Sequence, residues 1–387
     1  MEIAFWLLIF IVFYTYLGYG ILLYFLVKIK SLFNRKQEAP LDFEPAVTLV
    51  IPAFNEEDYI AEKAQNSLAL DYPKDKLRII FITDGSTDNT AKIIDGIDGV
   101  ELMHQDVRMG KACAENRAMT KVKSDFVIFC DANTQLNQEA VKQIVKHYAN
   151  PKVGAVTGEK KVISKEADSA SGAGEGIYWK YESTLKRLDS ALYSVVGAAG
   201  ELVSFRTSVM EDLEEDTILD DFVQSLRVCK KGYRVVYEPN AFAVETASEN
   251  IGEELKRKIR IAAGGWQSMS RLTALLNPFK YPVLSFQYIS HRVLRWSLSA
   301  FVLPVIFLLN LLLIFNDSGL LYLYLFLGQV AFYLFASIGW ILENRQIKVK
   351  VLFIPYYFLM MNYAVFAGFF RWLSKSQAAT WERAKRA

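Results

Sequence analysis

Residues 47–56 read Val47-Thr-Leu-Val-Ile-Pro-Ala-Phe-Asn55-Glu56, and residues 77–88 read Leu77-Arg-Ile-Ile-Phe-Ile-Thr-Asp84-Gly-Ser-Thr-Asp88. Each is a short apolar run that stops abruptly in polar turn residues, and residues 59–69 between them carry a helical pattern. Two buried strands joined by a helix describe a βαβ unit with parallel strands. That unit places Asn55, Glu56, Asp84 and Asp88 at the carboxyl ends of neighbouring strands. Open α/β sheets bind nucleotides at this edge.

The alternation continues outward. Further strands are expected at 126–130, 153–157 and 234–237, and helices at 90–97, at 223–230 and from Asn137 towards Tyr148. An α/β body over 47–250 follows. The glycines Gly172, Gly174 and Gly176 follow no strand and lack a partner acid at dinucleotide spacing, so they read as a loop.

The apolar content is unevenly spread. Residues 3–27, 296–315, 320–342 and 351–370 carry no charge, and each run is long enough to cross a bilayer, whereas 28–295 is mixed and charged. The first run lacks a basic start and a small-residue cleavage site, so it reads as an anchor rather than a signal peptide. Lys28, Lys30, Arg35 and Lys36 follow it directly, which puts the body in the cytoplasm. The expected organisation is an anchor at 1–28, a linker at 29–46, the body at 47–250, interfacial helices at 251–292, a membrane region at 293–373 and a basic tail at 374–387. His291 and Arg295, at the entry to the second run, read as headgroup anchors. Basic residues flank both ends of 351–370, so that run is either a span or a re-entrant hairpin carrying Pro355 and Asn362. The three cysteines show no metal or pairing pattern. No basic stripe with interleaved aromatics speaks for nucleic acid.

Short polar motifs lie after the strands, and each also has a structural reading. Asp84 precedes Gly85 in a tight turn and can accept from a nucleobase N–H or a ribose, or cap a helix. Lys111 in Arg108-Met-Gly-Lys111 offers a cation, without the flanking residues of a Walker loop. Asp131-Ala-Asn133 ends an apolar strand. Gly197-Ala-Ala-Gly200-Glu201 is small enough for close backbone approach. Asp220-Asp221 heads a helix, where acids also favour the macrodipole. Arg257-Lys-Ile-Arg260-Ile261 precedes Gly-Gly-Trp266.

Their order resembles the family-2 nucleotide-sugar glycosyltransferases, the group of cellulose and hyaluronan synthases, over residues 47–267. The resemblance implies a GT-A fold, Rossmann-like with a mostly parallel sheet, carrying one N-terminal and about three C-terminal transmembrane helices. It implies inverting transfer from a nucleoside diphosphate sugar, most simply a UDP-sugar. The acceptor would be a lipid-linked saccharide or a growing polysaccharide at the cytoplasmic face of a bacterial-type inner membrane. Pro52, Asn55, Glu56, Asp84, Lys111, Asp131 and Arg260 would then contact the donor, and Asp131 with Asn133 would hold Mg²⁺ or Mn²⁺. Asn133 stands where the family has a second Asp. Asp221 would be the base, its pKa raised by Asp220, with Gly200, Glu201 and Trp266 on the acceptor side. Trp266 would stand in for the aromatic residue that Ile261 replaces. A processive synthase and a non-catalytic nucleotide-sugar-binding subunit are the alternatives.

Overall fold

The computed structural model describes residues 1–33, 43–163, 170–246, 251–345, 347 and 349–380. Most of the expected linker lies outside these residues, as does the end of the tail. The chain opens with α1 (Glu2–Phe13), a π turn and α2 (Tyr19–Phe33), which run on as one apolar helix. The body follows as β1 (Val47–Ala53), α3 (Ile60–Leu68), β2 (Leu77–Thr83), α4 (Thr90–Asp95), β3 (Glu101–Met103), α5 (Lys111–Met119) and β4 (Phe126–Cys130). After β5 (Gln135–Leu136) and α6 (Ala140–Val145) come β6 (Val153–Ile163), α7 (Ala170–Leu192), β7 (Leu202–Arg206), α8 (Asp220–Lys230) and β8 (Arg234–Thr246). The remainder is helical: α9 (Ile251–Arg271), α10 (Pro282–Tyr288), a π turn at Ile289–Val293, α11 (Leu294–Trp296), α12 (Leu298–Phe315), α13 (Leu320–Asn344) and α14 (Lys350–Leu373).

The sheet has the order β3-β2-β1-β4-β7-β6-β8-β5. β3, β2, β1 and β4 are parallel neighbours, β7 is antiparallel to both β4 and β6, and β6 pairs in parallel with β8. Chain order reverses at β1, whose two neighbours β2 and β4 both end at the same edge. That crevice is the binding edge of a doubly wound sheet. The strands are buried on both faces. Leu49, Ile51, Phe81 and Ile128 pack under α3 and α6. Val50, Ile82, Val127 and Phe129 pack under α5, α8 and α10. Hence the apolar runs are continuous rather than alternating.

β7 is a central strand that no apolar pattern announces, because Ser204 and Arg206 interrupt it. Ser204 is nevertheless buried, its hydroxyl donating to the carbonyl of Val127 at 2.9 Å. The glycines at 172–176 lie within α7 rather than in a loop. Residues 350–373 form one continuous helix, α14, so the hairpin reading of this run does not hold.

Among the described residues, four helices are long and apolar enough to cross a membrane: Glu2–Phe33, α12, α13 and the helix of residues 351–373. Phe5, Val302, Ile306, Leu313 and Tyr322 pack α1, α12 and α13 together. Large apolar side chains such as Phe10, Leu308 and Leu327 face outward, more than half exposed. A soluble surface does not carry such a belt. The body is tied to this unit by α7. The Tyr181 hydroxyl donates to the Tyr16 carbonyl at 2.6 Å, and the Lys30 ammonium donates to the carbonyls of Ala191 and Leu192 at the C-terminus of α7. A cation there complements the helix dipole.

Candidate active site

The ends of β1, β2 and β4 converge through their turns. Asn55 has a left-handed backbone, φ 53°, and its side-chain carbonyl accepts from the Thr87 amide at 2.8 Å. The Glu56 amide donates to the Thr90 hydroxyl at 2.8 Å, so the β1 turn is laced to the β2 turn. Asp88 accepts from the Thr90 amide at the start of α4. Pro52, expected against the donor, is instead buried within β1 opposite Ile82 and serves the strand.

Asp84 is almost wholly buried, and its carboxylate accepts from the amides of Met109 (3.0 Å) and Gly110 (2.7 Å). It thereby pins the turn that opens α5. Gly85 must be glycine: its φ is +69° and a Cβ would come within 2.7 Å of the Arg108 backbone. The Arg108 guanidinium lies over the Phe54 ring, 3.6 Å from its centre. The pinned turn aims Lys111 across the crevice. Its ammonium lies 2.8 Å from Asp131 Oδ1, 3.4 Å from Asp220 Oδ2 and 3.9 Å from Glu115 Oε1. Burial disfavours this cation, but Asp131, Asp220, Glu115 and Asp221 together raise its pKa well above the ordinary lysine value.

Asp220 and Asp221 are the first two residues of α8. Burial and the neighbouring Asp220 carboxylate push the Asp221 carboxyl up to about 7, against the pull of Lys111. Asp220 moves the other way: burial is outweighed by Lys111 and a hydrogen bond with Glu115, and its pKa falls. Two adjacent acids thus split into a charged one beside the cation and one that exchanges a proton near neutrality, the pattern of an acid–base site. Gly200 leaves the space in front of them open. A Cβ there would sit 3.3 Å from the Lys111 ammonium and 3.4 Å from Asp221 Oδ2.

Asp131 is about one-third exposed, held by Lys111 on one side and facing the crevice on the other. Its partner Asn133 donates its amide nitrogen to Glu245 at 3.3 Å. No group of three or more His, Cys, Asp or Glu side chains able to hold a metal occurs among the described residues. One carboxylate and one amide oxygen are too few for a protein-only site. They suit an Mg²⁺ or Mn²⁺ ion that takes its other ligands from a diphosphate.

A cavity of about 600 Å³ extends from Asp131, Asp221 and Gly200 to Tyr16 in the first apolar helix and Phe358 in α14. Glu201 lines it and is held in place by Lys160 at 2.5 Å; burial would raise the Glu201 carboxyl, but the ammonium holds it below the usual carboxylate range. Arg260 on α9 donates to the carbonyls of Ile218 (3.1 Å) and Ala379 (3.4 Å), with its Nε buried and unpaired. The tail therefore returns across the site: Thr380 lies 3.7 Å from where a Gly110 Cβ would stand.

Two expectations fail here. Trp266 stacks on Trp372 at 5.6 Å and packs on Phe369, outside the cavity. It stands five positions after Ile261, a net rotation of about 140° round α9. Trp179, Trp296 and Phe358 line the cavity instead. His291 and Arg295 do not reach towards headgroups. Both are buried, with Arg295 3.0 Å from Glu182 and His291 2.6 Å from Asp189. Their partners lie on α7, whose acids carry no motif, so spacing along the chain held no sign of this network.

The Glycosyl transferase family 2 model matches residues 48–213. The chain is similar to poly-beta-1,6-N-acetyl-D-glucosamine synthases: 31% identical over 260 residues to that of Staphylococcus aureus strain MSSA476 and 29% over 262 residues to that of Staphylococcus epidermidis. These matches cover 65% of this chain and 62% of the length of the synthases. In three dimensions it superposes on a mannosyltransferase from Pyrobaculum calidifontis, solved with GDP-Man and Mn²⁺, with a TM-score of 0.73 and 21% identity over 96% of this chain and 99% of that one.

Proposed function

We propose that the protein, whose residues 48–213 match the Glycosyl transferase family 2 model, transfers a sugar, with inversion, from a nucleoside diphosphate sugar to a saccharide acceptor at a membrane face. The observation that carries this is the convergence of Lys111, Asp131 and the Asp220–Asp221 pair at one end of a cavity that reaches the apolar helices. The donor lies across the β1–β4 crevice, with its nucleoside beside Asn55, Glu56 and the loop that Asp84 pins, and its diphosphate towards Lys111 and Arg260. Asp131, with the Asn133 amide oxygen, would hold a divalent ion against the diphosphate, and that ion would neutralise charge on the leaving group. The acceptor hydroxyl attacks the anomeric carbon from the cavity side. A new C–O bond forms, the bond to the diphosphate breaks, and the hydroxyl proton passes to the Asp221 carboxylate. A base whose pKa lies near 7 is suited to that proton.

Similarity to N-acetylglucosamine polymer synthases makes UDP-N-acetylglucosamine the first donor to test. The test is release of UDP by the purified full chain from a panel of UDP- and GDP-sugars, with and without Mn²⁺ or Mg²⁺. Metal-dependent release supports the reading; nucleotide binding without release from any donor contradicts it.

The placement of α14 supports a body-side location for both of its ends, as the basic flanks require. Its start packs at the end of α13, where a Cβ on Gly339 would meet the Leu352 carbonyl at 2.4 Å. Its far end packs at the start of α12, through Phe366 and Phe369 on Phe301. Along its length it lies on α9, with Gly368 against Ala262. A helix beside charged α9 with both ends at the body face lies along the membrane surface rather than through it. Three crossings then remain, and the body and both basic flanks share the cytoplasmic side.

A further inference from the structure

Lys186 is a buried cation that the transfer chemistry does not use. It lines the cavity on the same face of α7 as Trp179 and Glu182, at helical spacing, and is only 3% exposed. Among the described residues its ammonium has no hydrogen bond and no ion pair; it lies 6.0 Å from the centre of the Trp179 ring. The acids that act on it are committed elsewhere. Glu182 is engaged by Arg292 at 2.6 Å and Arg295 at 3.0 Å, Glu201 by Lys160 at 2.5 Å, and Glu159 by the hydroxyls of Ser183 and Tyr237. Burial lowers the pKa of Lys186, partly offset by Glu182, with Arg292 lowering it further. A desolvated, uncompensated ammonium costs stability and is retained where a ligand supplies the counter-charge.

The surroundings indicate which counter-charge. Arg292 and Arg295, both held by Glu182, also line this part of the cavity, so an anion here would meet two guanidiniums beside Lys186. Past them the wall is apolar and comes from the membrane unit: Leu17 from the first helix, and Ile354, Phe358 and Met361 from α14. An anion at Lys186 with a hydrocarbon chain attached would therefore lie along apolar wall on one side and face Asp221 on the other.

Resting on the transfer reading above, we propose that Lys186, beside Trp179, Arg292 and Arg295, binds the phosphate of a lipid-linked acceptor. The saccharide hydroxyl is thereby held towards Asp221, and the lipid chain lies against the α14 wall. Lys186 is a positioning residue and takes no part in bond making. Charge-assisted hydrogen bonds to phosphate from a buried cation contribute about tenfold or more to affinity.

The test is binding without donor, so that it stands apart from turnover. Full-length protein in neutral detergent is titrated with dihexadecyl phosphate in mixed micelles. Parallel arms use inorganic phosphate, oligogalacturonate and uncharged dihexadecylglycerol. Saturable binding of dihexadecyl phosphate, weakened at least about tenfold by Lys186→Met and kept by Lys186→Arg, is the expected result. Lys186→Met should melt no lower than the parent, since it removes an unpaired buried charge. Should Lys186→Met fail to fold, Lys186→Gln takes its place in the same comparison. Equal binding by parent and variant, or no binding by the parent, overturns the proposal. Inorganic phosphate binding as tightly overturns the lipid part. Preference for oligogalacturonate would reassign the subsite to an acidic polysaccharide.

Discussion

Asp221 and its neighbour were legible as residues, because a pair of acids at a helix start after an apolar turn is a short local pattern. Their division of labour was legible only in direction. It depends on Lys111, which arrives from another helix and sits 3.4 Å from Asp220. Asp221→Asn is expected to lower kcat by roughly 10²–10⁴, the usual contribution of a positioned base, while nucleotide still binds. Lys111→Met removes the ammonium that pairs with Asp131 and should raise the donor KM about tenfold or more. It should also lower Tm, because breaking a buried ion pair strands its acids. Titrating donor binding and thermal melting on the same sample separates the two effects. Asp84 shows where reading residues singly stops. Its carboxylate was expected on the nucleoside, and it is found on two backbone amides, which no spacing announces.

At the scale of elements, β1, β2, β4 and their helices follow from apolar runs bounded by turns, since burial on both faces leaves few polar interruptions. β7 was missed for the opposite reason: its polar residues are satisfied by neighbouring strands, which periodicity along the chain cannot register. Trp266 was judged by proximity to Ile261, whereas a net rotation of about 140° along α9 carries it out of the cavity that Ile261 lines. Trp179 on α7 lines the cavity instead. Gly200→Val should abolish transfer with little change in Tm, because the branched side chain occupies the gap beside Lys111 and Asp221. Gly368→Val acts differently. A Cβ there would come within 2.5 Å of Ala262, so α14 must separate from α9, at a cost of about 1–3 kcal/mol. Both Tm and kcat should fall, since Arg260 rides on α9.

The molecule as a whole joins an α/β body to an apolar unit through α7, α9 and α14. Composition made the four apolar runs plain, but hydropathy does not distinguish a helix through a bilayer from one along its face. Single cysteines at Ile347, Ser318 and Ser376 test the arrangement with a membrane-impermeant thiol reagent in sealed, oriented vesicles. Positions 347 and 376 should label from the same side and 318 from the other; opposite labelling of 347 and 376 would make α14 a crossing. The most direct test of the whole account is the pH dependence of kcat/KM for transfer by the parent, Asp220→Asn and Lys111→Met. Asp221 must be deprotonated to act, so the parent rate should rise with pH through about 7. Removing the Asp220 charge should move that rise to lower pH, and removing Lys111 should move it higher. A rise that stays in place in both variants, or turnover that survives Asp221→Asn, would contradict Asp221 as the base.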